Sequence, residues 1–362
     1  MSNSNNFLNI ARGAKNDEFY TQLEDIEKEL KYYKEYLKNK VVLCNCDNPR
    51  ISNFFRYFVI NFNELQLKKV ICVCYNSKSQ NPLSNNISNE NGIYAIFNGI
   101  SQINKNTTKE EIDNIIKNIE IHKLKGNGDF RSNESINFLK ESDVVITNPP
   151  FSLLRTFISQ ILEYNKKFLI LGNMNTLMTK QSFSLIATQK MHFGYSIHSG
   201  GIFFEIPNSY KIFARTYKID KITNKKYVRL AGIRWATNIE INNSILEPPK
   251  LFLTKLYNLK DYPHYDKFPN IINVDKTLDI PKDYTGLIGV PITFLDKWNK
   301  NQFDIIYLCK DKVNNAILEL LPNEYDPKRH ISLTNTPGLL HSKDCVIKDK
   351  ILYYRIIIRR KG

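Results

Sequence analysis

Asp143-Val144-Val145-Ile146-Thr147-Asn148-Pro149-Pro150-Phe151 is an apolar run that drives directly into two prolines. Val144 to Thr147 are β-branched, the residue type that suits a pleated, buried strand. The prolines end it, because each locks φ and neither donates a backbone N–H. Residues 152–164 then place apolar side chains at helical spacing, and residues 167–171 are again apolar and strand-like. Apolar strands alternating with helices read as an α/β fold, a parallel sheet covered on both faces.

The same alternation extends towards the N-terminus. Leu23, Ile26, Leu30, Tyr33 and Leu37 recur every three or four residues, which predicts a helix over residues 16–37. Asp17, Glu18 and Thr21 lie near its start, where acids and caps belong. Residues 41–46 read as a buried strand, Asp47-Asn48-Pro49 as a turn, residues 51–62 as a helix and residues 69–75 as a second strand. The Asn/Ser-rich residues 76–92 read as a loop, residues 93–97 as a third strand, residues 110–121 as a helix and residues 126–130 as a loop. In such sheets ligands bind at the carboxyl ends of the strands. The loops after Cys46, Tyr75, Lys125 and Thr147 are therefore expected on one edge, with the chemistry there.

After about Asn173 the pattern changes to short alternating runs over residues 201–206, 211–219 and 227–234, which read as antiparallel strands. A last apolar strand over residues 351–358 ends in Arg359-Arg360-Lys361, a tail suited to phosphate contact or to solubility. These shifts divide the chain into residues 1–175, expected to hold cofactor and catalysis, and residues 176–362, a mixed, partly β region expected to recognise the target.

The chain of 362 residues carries 51 Lys plus Arg against 36 Asp plus Glu, a formal charge of +15. Such a balance favours polyanionic partners, because neutralising phosphates releases counterions; a Lys- and Asn-rich coding bias accounts for part of the excess. Residues 211–234 concentrate the effect. Lys211, Arg215, Lys218, Lys221, Lys225, Lys226, Arg229 and Arg234 stand against the single acid Asp220, with Tyr217, Tyr227 and Trp235 interleaved or adjacent. A basic hairpin with aromatics suits a DNA groove; a solvated charged face is the alternative. No run of about 18 apolar residues indicates a membrane span, and the polar N-terminus lacks a signal-peptide core, so a cytoplasmic location is expected. The Cys-x-Cys pairs Cys44/Cys46 and Cys72/Cys74 sit inside apolar runs. They read as small core residues and not as zinc ligands, which favour turns and longer spacing; no metal is expected.

The decisive motif carries a chemistry of its own. Prolines at 149 and 150 aim the Asn148 side chain and the Pro149 carbonyl into one small space. Two acceptors there can take both hydrogens of an exocyclic amine and localise its lone pair for in-line attack on a sulfonium methyl. Positioning and electrostatics do the work without a strong base. Phe151 offers a flat face on which a base can stack, worth about 1–3 kcal/mol. A base inside a duplex is out of reach and has to flip out. As a bare tetrapeptide Asn-Pro-Pro-Phe also occurs in structural turns; the strand before and helix after it favour the functional reading.

Several collinear blocks extend the motif: Asp17-Glu18-Phe19-Tyr20-Thr21-Gln22, Cys44-Asn45-Cys46-Asp47-Asn48-Pro49-Arg50 with Ser52-Asn53-Phe54-Phe55, Gly128-Asp129-Phe130-Arg131-Ser132, and Gly289-Val290-Pro291-Ile292-Thr293-Phe294-Leu295. With Asn148–Phe151 they make the chain, from about residue 15 to about residue 310, resemble the EcoRI adenine DNA methyltransferase family. The resemblance implies a Rossmann-like sheet that binds S-adenosylmethionine and methylates adenine N6 in double-stranded DNA. It also implies a type II restriction-modification setting, in which a cognate endonuclease acts on the same site without a stable complex. Asn148, Pro149, Pro150 and Phe151 would be catalytic. Phe19, Tyr20 and Thr21 resemble the segment closing over the methionine moiety, Asp47, Asn48 and Pro49 the loop after the first strand, and Asp129 and Phe130 the pair at the cofactor adenine. Cofactor blocks first, catalytic motif next and recognition region last is similar to the γ order, and GAATTC or a relative is the implied site. Two departures stand out: residues 47–53 hold no glycine, and the second strand ends Cys74-Tyr75-Asn76 where the family pattern has an acid for the ribose. Asp47 reads equally well as an N-cap or Asx-turn.

Glutamine methyltransferases use a similar Asn-Pro-Pro-aromatic motif, so a protein or RNA substrate is the competing enzyme reading. A DNA-binding relative without activity is the competing non-enzyme reading. The charge and the long region after Phe151 favour DNA, and a monomer is expected.

Overall fold

The computed structural model describes residues 20–76, 91–100, 103, 107–198, 200–207, 216–241, 248–266, 268–309, 346–347, 350–351 and 355–361. The chain forms two compact units, residues 1–177 with 194–241, and residues 178–193 with 242–362.

The first unit is mixed α/β. Its centre is β2 (Val41–Asn45), β3 (Lys69–Cys74), β6 (Val144–Thr147) and β7 (Lys167–Asn173), paired in parallel in the order β3-β2-β6-β7. Every residue of β2 and of β6 is buried, as a strand covered on both faces requires. The register sets Cys44 opposite Cys72 and Leu43 opposite Val145. Both cysteines are buried in the apolar core, and Cys46 lies just beyond the end of β2. Among the described residues no group of three His, Cys, Asp or Glu is placed to hold a metal, and no helix is long and apolar enough to cross a membrane.

The helices follow the predicted apolar faces with corrected ends. Helix α1 (Leu23–Leu30) starts later than its periodicity suggested, because Tyr20–Thr21 forms strand β1. The pattern continues through a 3-10 turn (Lys31–Tyr33) into a short helix (Lys34–Leu37). Helix α2 (Asn53–Ile60) is capped by Ser52, whose side chain accepts from Phe54 N and Phe55 N, an arrangement worth about 1 kcal/mol. Helix α3 (Lys109–Asn118) opens with a reciprocal Thr108/Glu111 capping box. Helix α4 (Asn133–Glu141), capped by Ser132, is an element the periodicity did not single out, since only Ser135 and Leu139 of it are buried. Helix α5 (Leu154–Glu163) follows the proline turn.

The sheet is not wholly parallel. Strand β4 (Ile93–Phe97) pairs antiparallel with β3, and β5 (His122–Lys123) antiparallel with β4. The sequence between β3 and β4 lacks the apolar periodicity of a crossover helix, and only antiparallel neighbours dispense with one. The run read as one strand over residues 227–234 is two. Strand β10 (Lys226–Leu230) belongs to a small sheet, whereas β11 (Ile233–Thr237) joins β7 antiparallel. Gly232, at φ 75°, makes the turn between them.

The small sheet of this unit, among the described residues, has the order β1-β8-β10-β9, with β8 (Ile202–Ile206) and β9 (Tyr217–Ile219), all antiparallel. Directly paired residues share a face. Thr21, Phe204 and Val228 lie on the buried side, while Tyr20, Glu205, Tyr227 and Lys218 form a row across the other.

In the second unit, β12 (His264–Tyr265), β13 (Phe268–Asn273), β14 (Leu287–Pro291), β15 (Phe303–Cys309) and β16 (Arg355–Arg360) form a sheet of order β12-β13-β14-β16-β15. Helix α6 (Lys180–Ala187) packs against β15. The expected C-terminal strand thus lies between two others, with Ile356, Ile357 and Ile358 fully buried. Of its basic tail, Lys361 pairs with Asp304 at 3.1 Å. Gly289 of the collinear block is required by packing, because a Cβ there would sit 2.0 Å from the Tyr265 hydroxyl.

Candidate active site

The strand order reverses between β2 and β6: the chain leaves β2 for β3 on one side and later leaves β6 for β7 on the other. Loops that diverge from such a switch point open a crevice at the carboxyl ends. Cys46, Asp47, Thr147 and Asn148 all lie at that place.

The loop after β2 has no glycine, yet it adopts a glycine-like turn. Cys46 takes φ 121°, and the N–H groups of Cys46 and Asp47 both donate to Val73 O, at 3.0 and 2.9 Å. A non-glycine residue there costs on the order of 1–3 kcal/mol and needs its surroundings to hold it. The Asp47 carboxylate supplies part of that hold. Ser52 Oγ donates to Asp47 Oδ1 at 2.6 Å, and Thr147 Oγ1 donates to Asp47 Oδ2. Burial pushes the Asp47 carboxyl up to about 6, with the two hydroxyl donors opposing it. Asp47 therefore ties the first loop to the cap of α2 and to the residue before Asn148. It is not itself the cap, which is Ser52. Asn48 Oδ1 accepts from Arg50 N, and Pro49 is buried. The Arg50 guanidinium donates to the carbonyls of Ile116, Lys117 and Ile119 at the end of α3.

Thr21 is brought to the same loop, since Asn53 Nδ2 donates to Thr21 O at 2.7 Å. Thr21 Oγ1 and Asn45 Oδ1 are buried without a hydrogen-bond partner among the described residues. Buried polar atoms of that kind ask for a ligand or water. Phe19 lies outside the described residues.

Residues 126–130 close over the end of β3. Asn76 N donates to Asn127 O at 2.9 Å, and Gly128 has φ 81° with Cys74 O only 2.5 Å from where its Cβ would stand. Asp129 follows, its carboxylate held by Arg131 through N, Nε and Nη2 at 2.9, 2.8 and 2.6 Å. The Arg131 hydrogen bonds keep this carboxyl below its usual range despite partial burial. Phe130 is buried edge-on against Phe157 at 5.0 Å.

At the motif, Asn148 is half-buried with its Oδ1 inside, and Pro149 is buried. Pro150 O accepts from Leu153 N at 3.0 Å, the turn that launches α5. Phe151 is 6% exposed and meets Phe204 at 6.2 Å and 82°. The ring read as a flat face for a base is thus buried and makes a T-shaped contact with Phe204 of β8. Ser52, Asn53 and Thr147 stood in quoted stretches but were given no site role from sequence, and Phe204 was not singled out. Ser52 also carried a local signal, as a cap residue before an apolar run.

The basic residues separate. Lys218, Lys221, Lys225 and Arg229 are exposed and Lys226 is half-buried. Lys218 lies over the Phe203 and Tyr227 rings at 4.8 and 4.9 Å, and Lys225 pairs with Glu205 at 2.8 Å. Arg234 does not face solvent. It is 3% exposed, donating to Ile233 O at 2.7 Å and His198 O at 2.8 Å, because β11 joins the large sheet. Lys211 and Arg215 lie outside the described residues.

A family model described as "Adenine-specific methyltransferase EcoRI" matches residues 7–361. The chain is 39% identical to "Type II methyltransferase M.EcoRI" of Escherichia coli, over 99% of this chain and 97% of that one. It is 36% identical to M.MgeORF184P of Mycoplasma genitalium over 83% and 85%, and 32% identical to M.MpnI of Mycoplasma pneumoniae over 98% of each. No solved structure matches. Asn148–Phe151, at the carboxyl edge of a switch-point sheet, thus stands inside a similarity that spans nearly the whole chain, which belongs to the EcoRI family of adenine-specific methyltransferases.

Proposed function

We propose that this protein is a site-specific DNA methyltransferase that transfers a methyl group from S-adenosylmethionine to adenine N6. Its working setting would be the modification half of a type II restriction-modification system. The observation that carries the reading is that Thr147, the residue before Asn148, bonds to Asp47 at the switch point of a mixed sheet with a parallel centre.

Thr21, Asn45, the residues 47–49 loop, Asp129 and Phe130 are the groups that would hold the cofactor. The orphaned Thr21 Oγ1 and Asn45 Oδ1 fit a polar ligand there, and Asp129 would accept from the adenine amine once Arg131 yields. Bound S-adenosylmethionine supplies an electrophilic methyl on sulfonium sulfur. The chain's own task is the amine. Asn148 Oδ1 and Pro149 O accept its two hydrogens and leave the nitrogen lone pair directed outwards. Phe151 stacks on the extruded base, which offsets part of the cost of flipping.

Residues 1–175 would supply chemistry and the later region recognition, with Lys211, Arg215, Lys218, Lys221, Lys225, Lys226 and Arg229 on phosphates. The protein would act as a monomer, and an endonuclease of the same specificity would need no stable complex with it. GAATTC is the first site to test by nuclease protection; continued cleavage after treatment would exclude it.

Incubation of unmethylated DNA with S-adenosylmethionine, followed by nucleoside mass spectrometry, tests the reading. Wild type is expected to produce N6-methyladenine and Asn148→Ala to produce almost none. A folded wild-type protein that leaves DNA unmodified would transfer the search to RNA and protein glutamine.

A further inference from the structure

The β9–β10 hairpin ends in Asp220-Lys221-Ile222-Thr223-Asn224-Lys225. At its tip Ile222 is 94% exposed, the most exposed of the large apolar side chains among the described residues. A single exposed aliphatic is ordinary on a protein surface; the setting of this one is not. The tip is held rigid, with Asp220 Oδ1 accepting from Ile222 N at 2.9 Å and Thr223 N at 2.8 Å. Asp220 N donates to Lys225 O, Asn224 N donates to Asp220 O, and Asn224 takes the left-handed φ of 54° that closes the turn. The side chain on this tip is β-branched and stiff.

Its surroundings have two chemistries. Lys218, Lys221, Lys225 and Lys226 flank it in sequence. Tyr217 and Ile219, on the face of edge strand β9 opposite Lys218, are 53% and 45% exposed. A hairpin that only sought phosphate would gain nothing from isoleucine at its most protruding point. An isoleucine gains only where water is excluded, and between cations the apolar place on offer in a duplex is the base stack.

We propose that Ile222 is an apolar wedge that enters the base stack beside the target adenine while the hairpin lysines hold the flanking phosphates. The wedge keeps open the gap left when the adenine turns out, and it kinks the duplex. This inference rests on the DNA reading above.

The test uses the full-length protein and a duplex bearing the sequence that wild type is found to methylate, with 2-aminopurine in place of the target adenine. Wild type raises the fluorescence on binding. Ile222→Ser is expected to lose most of that rise and of the bend measured by end-to-end energy transfer, with kcat/KM on the unmodified site falling about tenfold or more. Its affinity for unrelated DNA and its salt slope stay those of wild type, and Ile222→Leu restores flipping. Leu278→Ser, which removes an exposed apolar side chain of the second unit, leaves all readouts unchanged. An Ile222→Ser protein that flips, bends and methylates like wild type overturns the wedge with the methyltransferase intact. A wild type that methylates no DNA removes the reading beneath it instead.

Discussion

The carboxyl edge of the large sheet and the outer face of the small sheet are built on opposite principles. At the edge, Asp47, Thr147, Ser52 and Asn45 are buried, Ser52 and Thr147 bond to Asp47, and Asn45 Oδ1 has no partner among the described residues; their positions follow from where β2 and β6 stop. On the small sheet Lys218, Lys221, Lys225 and Arg229 stand in solvent, with Lys218 over two rings and Lys225 in one surface ion pair. Groups that must act on one amine need geometry, and burial provides it. Groups that must meet a phosphate backbone need charge and reach, and their contributions add up separately. A substitution at the edge should therefore be severe and specific, and one on the face mild and salt-dependent.

The largest effect is expected at Asn148. Asn148→Ala should lower kcat about 10²–10³-fold, as removal of one preorganised polar group does, with DNA affinity nearly unchanged. Single-turnover methylation beside a binding isotherm checks this. Equal losses in both would break the separation between edge and face.

Next comes Asp47. Its carboxyl is raised to about 6 by burial, so between roughly pH 4 and 6 the folded protein binds more protons than the unfolded chain. Stability from this group is then highest at low pH and is lost as pH rises through 6, by on the order of 3 kcal/mol. Denaturation series against pH should show this fall in wild type and its absence in Asp47→Asn. The opposite slope difference would mean that the Ser52 and Thr147 hydroxyls outweigh burial.

Arg234 sharpens the comparison because it shares its charge with the face and its burial with the edge. Arg234→Ala should lose about 1–3 kcal/mol of stability, since carbonyls 198 and 233 lose their donor, while the salt slope of DNA binding stays put. A reduced slope would return Arg234 to the phosphate-contacting set. The smallest effect belongs to Lys221→Ala: affinity should fall a few-fold and the slope of log K against log salt by about 1, with stability unchanged.

Much of the first unit was legible because its strands are continuous apolar runs and its helices carry one apolar stripe. Strands β2, β3, β6 and β7 and helices α2, α3 and α5 came out near their observed bounds for that reason. What was illegible depends on neighbours distant in the chain. Tyr20–Thr21 continued a helical pattern, yet Glu205 and Phe204 recruit it as a strand. Trp235 looked like part of a basic hairpin, yet Gly232 sends it fully buried into the large sheet. Phe151 is buried beside Phe204, about fifty residues further on.

By itself the sequence determined the alternating α/β order, the place of Asn148-Pro149-Pro150-Phe151 after a buried strand, and the family, because local periodicity, proline geometry and collinear blocks are properties of the chain. The tertiary structure alone decided that Asp47 holds Thr147, that Arg131 occupies Asp129, that Arg234 is interior and that Ile222 is the point of the basic hairpin. The first and third are set by which strands pair and where they end, which depends on contacts between distant segments; the other two are local contacts whose geometry the sequence pattern did not display.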